Sequence, residues 1–336
     1  MSLEIGTVVL KEGLEKRYAV GAFNANSAEY VQAITQAAEE EGSPVIVQIS
    51  PGATRYLGLE LAVAIVKTAA EMVSIPAVLH LDHGVTYEQN INALKAGFTS
   101  LMYDGSELPL EENIKITASI VKEAHLRGVP VEAELGKIPK IEEFEDMLPA
   151  DYDYSYPPPQ DIQEKVIELM AKPEDVERFV EQTGCDSLAA AIGSIHGMKN
   201  DVQPLYLKRL REIRQRTDIP IVCHGSSGVI RTRRDVEELE ARGYKLSEGW
   251  GCMEDAIKEG LVKINIATAV SMSFLRGMKE AWNKNPNEKD SRKITGPGRD
   301  AMKETIKGYM RLFGSSGQIA ITPKTEELEE VTEGPE

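Results

Sequence analysis

The chain has 336 residues, 42% hydrophobic and 27% charged, with a formal net charge of -16; such an acidic surface repels nucleic acid and anionic membranes, so neither is an expected partner. Three cysteines (Cys185, Cys223 and Cys252) without a CxxC pair fit a reducing cytoplasm rather than a disulfide framework. The opening MSLEIGTVVLKEGLEKRYAV lacks the pattern of a signal peptide, and no uncharged apolar stretch reaches the ~18 residues of a bilayer span.

Short apolar runs alternate with amphipathic ones along the chain. Tyr18–Phe23 precedes a helical stretch at Ala28–Glu41, Pro44–Ile49 precedes Leu59–Met72, and Pro76–Leu81 precedes Tyr87–Ala96. Thr99–Tyr103 is followed by Leu110–Arg127, and Pro130–Glu134 by a segment that breaks the rhythm. Ser187–Ile192, Pro220–Cys223 and Val262–Ile266 complete the strand candidates, with a helix at Leu205–Arg216 between the first two. The runs are rich in Val, Ile and Ala and read as apolar on both faces, as buried parallel strands do. Eight βα units of this length predict a (β/α)8 TIM barrel of the α/β class, one domain over 1–315. A doubly wound sheet is the structural alternative.

The break lies at 137–172, where Pro157–Pro159 cannot sit inside a helix or a central strand. This insertion reads as a long loop over the barrel mouth, with a helix resuming near Pro173. Helices are expected at Ala269–Asn283 and Asp300–Leu312, and the acidic tail 316–336 is expected to be disordered.

The carboxyl ends of the eight proposed strands carry Asn24, Ser50, Asp82 with His83, Asp104, Glu134, His196, His224 and Asn265. Barrel enzymes build their sites at this end, where the βα loops converge. Three imidazoles with one open position make a catalytic zinc (Zn2+) site, which selects His83, His196 and His224. His125 lies late in a helix and suits its terminus instead. His80 shares a strand face with Asp82 and reads as a packing or supporting group, whereas the turn after the strand can redirect His83. The small turns HGMKN, HGSSGV and NIATA bring Gly197, Gly225, Ser226 and Ser227 to the same end, with amides and hydroxyls able to cradle a phosphate.

The runs GAFNANS, VLHLDHG, VEAELG, AAIGSIHG, CHGSSG and VKINIAT, in this order, resemble class II fructose-bisphosphate aldolases over roughly residues 1–315. The resemblance implies a zinc-stabilised enediolate and cleavage of a ketose bisphosphate to dihydroxyacetone phosphate and an aldehyde. It implies a catalytic zinc on His83, His196 and His224, with Asp104 and Glu134 at an alternative or second metal position, and leaves room for a monovalent cation. Asp82 would exchange a proton with the C4 hydroxyl, and Glu142, on a mobile loop, would act on the dihydroxyacetone phosphate carbon. Gly197, Lys199, Gly225, Ser226, Ser227, Asn265 and Thr268 would surround that fragment, with Asn24 and Ser50 on the substrate side. A cytoplasmic homodimer or homotetramer is expected.

Several positions depart from the family pattern. Pro139 and Lys140 replace paired glycines before Glu142, which stiffens the hinge, and Glu143 or Glu145 could take the role of Glu142. Ala267 and the run DSRKITGPGRDAMKE are similar to the tagatose-bisphosphate branch. Gly296 stands where an arginine grips the distal phosphate, with Arg292 or Arg299 as substitutes, so a substrate without that phosphate is an alternative. A Schiff-base lysine would be sought at Lys263 or Lys199. The readings from other classes are a barrel zinc hydrolase and a non-catalytic homologue.

Overall fold

The computed structural model describes residues 3–198 and 200–321. Its strands are β1 (Val20–Asn24), β2 (Val45–Ile49), β3 (Ala77–Leu81), β4 (Leu101–Tyr103), β5 (Val131–Leu135), β6 (Ser187–Ala190), β7 (Leu205–Tyr206), β8 (Ile221–Cys223), β9 (Trp250–Gly251) and β10 (Leu261–Ile266). Eight of them form one parallel sheet in the order β3-β2-β1-β10-β8-β6-β5-β4. A parallel bridge between His80 and Ser100 joins β3 to β4 and closes the ring. This is the (β/α)8 barrel expected from the alternation of elements. β7 and β9 form a separate antiparallel ribbon, so the first two residues of the expected helix Leu205–Arg216 are extended and the helix spans Leu207–Arg214.

Alternation along the strands separates two environments, interrupted in β10 by a register shift between Leu261 and Lys263. Outward residues such as Val47, Leu79, Ala133 and Ile264 pack under the helices in the main core. The inward layer at the amino end is apolar: Val20, Ala22, Ile46, Val78 and Val262 close around Tyr18, Val9 and Leu10, the last two from the helix Gly6–Lys16. Nearer the mouth, the inward positions turn polar, with His80, Glu132, Glu134 and Lys263 all buried. The expectation of strands apolar on both faces therefore holds only for the lower barrel.

The insertion 137–172 is more than a loop. It carries a 3-10 helix at Ile141–Met147 and an α-helix at Gln160–Leu169, before the helix Pro173–Thr183. Ile141, Phe144, Ile162 and Val166 pack with Ile195, Met198 and Ile230 in a second apolar cluster. The Pro triplet ends where Gln160–Leu169 begins, as a proline run before a first turn permits. At the carboxyl terminus the helix expected from Asp300 starts two turns earlier and spans Arg292–Phe313, with Pro297 inside it. It crosses the helix Thr268–Lys284 at glycine: a Cβ on Gly277 would fall 2.5 Å from Pro297 O, and one on Gly298 would fall 2.9 Å from Phe274 O. The first residues of the expected disordered tail are also tied down. Gly317 N donates to Glu41 O (2.7 Å) and Ile319 N to Gly42 O (2.9 Å), while 322–336 lie outside the described residues. No described helix is long and apolar enough to cross a membrane.

Candidate active site

β3 delivers Asp82 and His83 to the barrel mouth. The Asp82 amide donates to Ile49 O at 3.1 Å, extending the strand pairing by one residue. His83 then takes φ +50, a left-handed conformation uncommon for a residue with a Cβ, and the chain turns there. His83 Nδ1 meets Asp104 Oδ2 at 2.9 Å, leaving Nε2 to face His224 Nδ1 at 2.9 Å. The His224 ring lies 4.6 Å from that of His83, centroid to centroid, and the His196 ring lies 5.8 Å from it. His83, His196 and His224 line one cavity, together with Asn24, Asp82, Gly197, Gly225, Ser226, Ser227, Asn265 and Thr268. The donor atoms of Asp82, His83 and His224 lie within 4.8 Å of one another, as do those of His83, Asp104 and Glu134. His196 belongs to neither of these tighter groups.

The buried polar atoms suit a cation. Asp82 Oδ2 accepts from Asn24 Nδ2 (2.6 Å), and Asn24 Oδ1 accepts from Gln48 Nε2 (3.0 Å). The remaining oxygen, Asp82 Oδ1, is buried with no hydrogen-bond partner among the described residues, as are Glu134 Oε2 and Asn265 Oδ1. Unpaired buried oxygens are costly, and three around three imidazoles fit a bound cation. His83 Nδ1 and His224 Nε2 each face a carboxylate, on Asp104 and Glu132, so their other nitrogens meet lone pair to lone pair unless a proton or a metal lies between them. Imidazole nitrogens with carboxylates behind them are the donor set of zinc and similar divalent metals.

The electrostatics differ sharply among these groups. Burial opposes charge on His83, but Asp82, Asp104 and Glu134 outweigh it and lift its pKa to about 10. His196 is pushed down to about 4 by burial and by the neighbouring His224 and His83. His224 is lowered by burial and by His83. Burial works against the ionised form of Asp82, yet His83, His224 and Asn24 hold its carboxyl below the usual range. Glu134 is pushed up to about 8 by burial and by Asp104. Carboxylates driven in opposite directions at one barrel mouth, Asp82 in the cavity and Glu134 in the adjoining recess, are a mark of acid–base sites.

Loops complete the enclosure. Ile141 N donates to His196 O (2.9 Å) and His196 N to Pro139 O (2.8 Å), so the insertion is zipped to the segment after β6. Pro139 and Lys140, which replace the expected glycines, form this bridge. It sets Glu142 over the mouth: a Cβ on Gly197 would fall 3.3 Å from Glu142 Oε1. Asp104, Glu134, Glu142, His196, Gly197 and Thr268 line a recess shared with Lys137 and Lys140. Glu143 is instead paired with Lys137 at 2.9 Å. Gly225, at φ +64, brings the turn after β8 against Ile195 and His196. Ser227 Oγ accepts from the amides of Ala267 and Ala269 (3.3 and 3.4 Å), next to Thr268 at the start of the helix Thr268–Lys284. Ser226 Oγ donates to Cys223 O (2.9 Å) and shapes the turn.

Ser50, Arg292, Arg299 and Lys263 take places away from the expected ones. Ser50 caps the helix Pro51–Leu57, accepting from Ala53 N at 3.2 Å, and does not line the cavity. Arg292 is paired with Asp290 (2.9 Å) and Arg299 with Asp300 (3.0 Å), and neither lines the cavity or the recess. Lys199 lies outside the described residues. Lys263 is buried, with Nζ 2.6 Å from Glu132 Oε2, as an ion-paired ammonium unsuited to Schiff-base attack. Glu132 is the buried site residue that the sequence reading passed over. Period-2 alternation places it on the same face as Glu134, two residues away, and is the signal that identifies it.

Comparison with known proteins agrees with this geometry. Residues 6–318 match the family described as fructose-bisphosphate aldolase class-II. The fructose-bisphosphate aldolase of Geobacillus stearothermophilus is 41% identical over 95% of this chain and 100% of its own. The probable fructose-bisphosphate aldolase of Bacillus subtilis is 40% identical over the same shares, 95% and 100%. Among solved structures, the YdjI aldolase of Escherichia coli K12 superposes with a TM-score of 0.73 at 28% identity, covering 95% of this chain and 100% of that one. With a family match over 6–318 and relatives similar over nearly the full chain, the chain belongs to the class II fructose-bisphosphate aldolase family and is a lyase of the aldolase type.

Proposed function

We propose that the chain cleaves fructose 1,6-bisphosphate to dihydroxyacetone phosphate and glyceraldehyde 3-phosphate, with zinc held by His83, His196 and His224. The observation that carries this reading is the meeting of three imidazoles beside the unpartnered buried oxygen of Asp82. Zinc bound there supplies Lewis-acid stabilisation of the negative charge left when the C3–C4 bond breaks. Asp82 takes the proton of the C4 hydroxyl, and its second oxygen stays fixed by Asn24, which Gln48 holds in turn. The C3–C4 electron pair remains on the dihydroxyacetone phosphate half, and Glu142 returns a proton to that carbon. Gly197, Gly225, Ser226, Ser227, Asn265 and Thr268 hold this half, its phosphate set against the amides at the start of the helix Thr268–Lys284. Asp104 and Glu134, which share His83, offer the alternative metal position.

The names of the relatives support fructose over tagatose bisphosphate. A coupled assay of fructose bisphosphate, tagatose bisphosphate and singly phosphorylated ketoses tests the substrate. The reading expects the highest kcat/KM for fructose 1,6-bisphosphate, and a clear preference for another ketose would refute it. A cytoplasmic homodimer or homotetramer belongs to the same reading. Free, buried cysteines and the exposed Met272, Leu275 and Trp282 on one helix support it, and sedimentation equilibrium would expose a monomer.

A further inference from the structure

Beneath the three histidines lies a run of polar groups that the cleavage chemistry leaves unused. Glu132 and Lys263, 131 residues apart, come within 2.6 Å in a layer where each is at most 2% exposed. Lys263 Nζ also lies 3.0 Å from His80 Nε2. An ammonium group only donates, so that imidazole nitrogen accepts, and the His80 proton sits on Nδ1, 2.8 Å from Ser100 Oγ. The other oxygen of Glu132, Oε1, lies 2.8 Å from His224 Nε2. A carboxylate only accepts, so His224 carries its proton on Nε2 and turns Nδ1, as an acceptor, toward His83 Nε2 (2.9 Å) and Asn265 Nδ2 (3.2 Å) at the cavity.

A buried ion pair is a poor source of stability, because both charges lose their hydration. Met102, Ala189 and Val222 show that apolar side chains also fill this barrel. We propose that Glu132 is a positioning residue: its carboxylate, anchored by Lys263 and through it by His80 and Ser100, holds His224 in the Nε2–H tautomer and aims Nδ1 at the metal. This inference rests on the zinc reading above.

Two measurements test it. In the metal-free full chain labelled with 15N-histidine, two-bond 15N–1H spectra should show opposite tautomers, Nε2–H for His224 and Nδ1–H for His80. A His224 proton on Nδ1 overturns the proposal without recourse to any variant. Zinc affinity, read by competition with a chromophoric chelator, should fall by about 10–100-fold in Glu132→Gln. It should stay reduced in the double variant Glu132→Gln/Lys263→Met, in which the buried charges are balanced again. Wild-type affinity in either variant, with the fold intact by circular dichroism, contradicts the assignment. If the wild-type chain itself binds no zinc, the metal reading fails, while the tautomer spectrum still judges Glu132 separately.

Discussion

His83 and Asp82, neighbours in sequence, both line the cavity, with His83 Nε2 4.0 Å from Asp82 Oδ1, yet the proposed cleavage gives them different roles. Asp82→Ala should lower kcat by about 10²–10⁴-fold with bound zinc unchanged; metal analysis beside the assay would catch the opposite case, in which zinc is lost instead. Glu142→Gln should slow exchange of the dihydroxyacetone phosphate C3 proton with D2O by a similar ~10²–10⁴-fold. NMR reads this exchange directly, and an unchanged rate would move the role to Glu143 or Glu145. The histidines were legible from their places at strand ends, and the preference for His83 over His80 agrees with the geometry. Glu132 was not legible, because its meaning depends on Lys263, far along the chain, and only closure of the barrel brings the two together. Ser50, expected on the substrate side from its strand end, caps the helix Pro51–Leu57, for which Ser-Pro is also the local signature.

At the scale of elements, the insertion and the last helix carry the clearest consequences. Ile162, fully buried in the second cluster, supports the segment that holds Glu142 over the mouth. Ile162→Ala should destabilise that segment by about 2–5 kcal/mol, seen as faster hydrogen exchange across 137–170 and slower turnover. Unchanged exchange would mean the cluster does not hold the loop. The helix Arg292–Phe313 is pinned to Ala28–Glu41 by Arg311 on Glu41, and by Lys303 and Lys307 on Glu40, both at 2.7 Å. Burial works against the charge on Glu41, but Arg311 and Ser316 outweigh it and hold its pKa below the usual value. A carboxyl lowered on folding contributes stability above its unfolded pKa of ~4.3 and loses it as pH falls through the folded value. Arg311→Ala should therefore lower stability at neutral pH and leave it unchanged at pH 2, by denaturant titration. An equal loss at both pH values would exclude the ion pair. The helices Ala28–Glu41, Leu59–Met72 and Tyr87–Ala96 were legible to the residue, because amphipathic periodicity and glycine or threonine caps coincide there. Gln160–Leu169 was hidden behind the prolines, and the start of Arg292–Phe313 behind a Gly-Pro-Gly run that makes sense only at its close crossing with Thr268–Lys284.

For the whole molecule, the alternation of eight apolar runs with amphipathic stretches was enough to foresee the barrel, since a parallel sheet with that many crossovers closes on itself. Of the polar upper interior, Glu134 and His80 were foreseen but the Lys263–Glu132 pair was not, because hydropathy treats such a buried pair as surface. That layer now joins the architecture to the chemistry: one end of the barrel is sealed by apolar side chains, and the other converges on three imidazoles. The most direct test of that convergence is turnover of fructose 1,6-bisphosphate measured while zinc is stripped with EDTA and then returned in known amounts. The account predicts that cleavage falls to background with the metal and recovers fully at about one zinc per chain. Cleavage at full rate in the metal-free protein, with borohydride trapping substrate on a lysine, would contradict it.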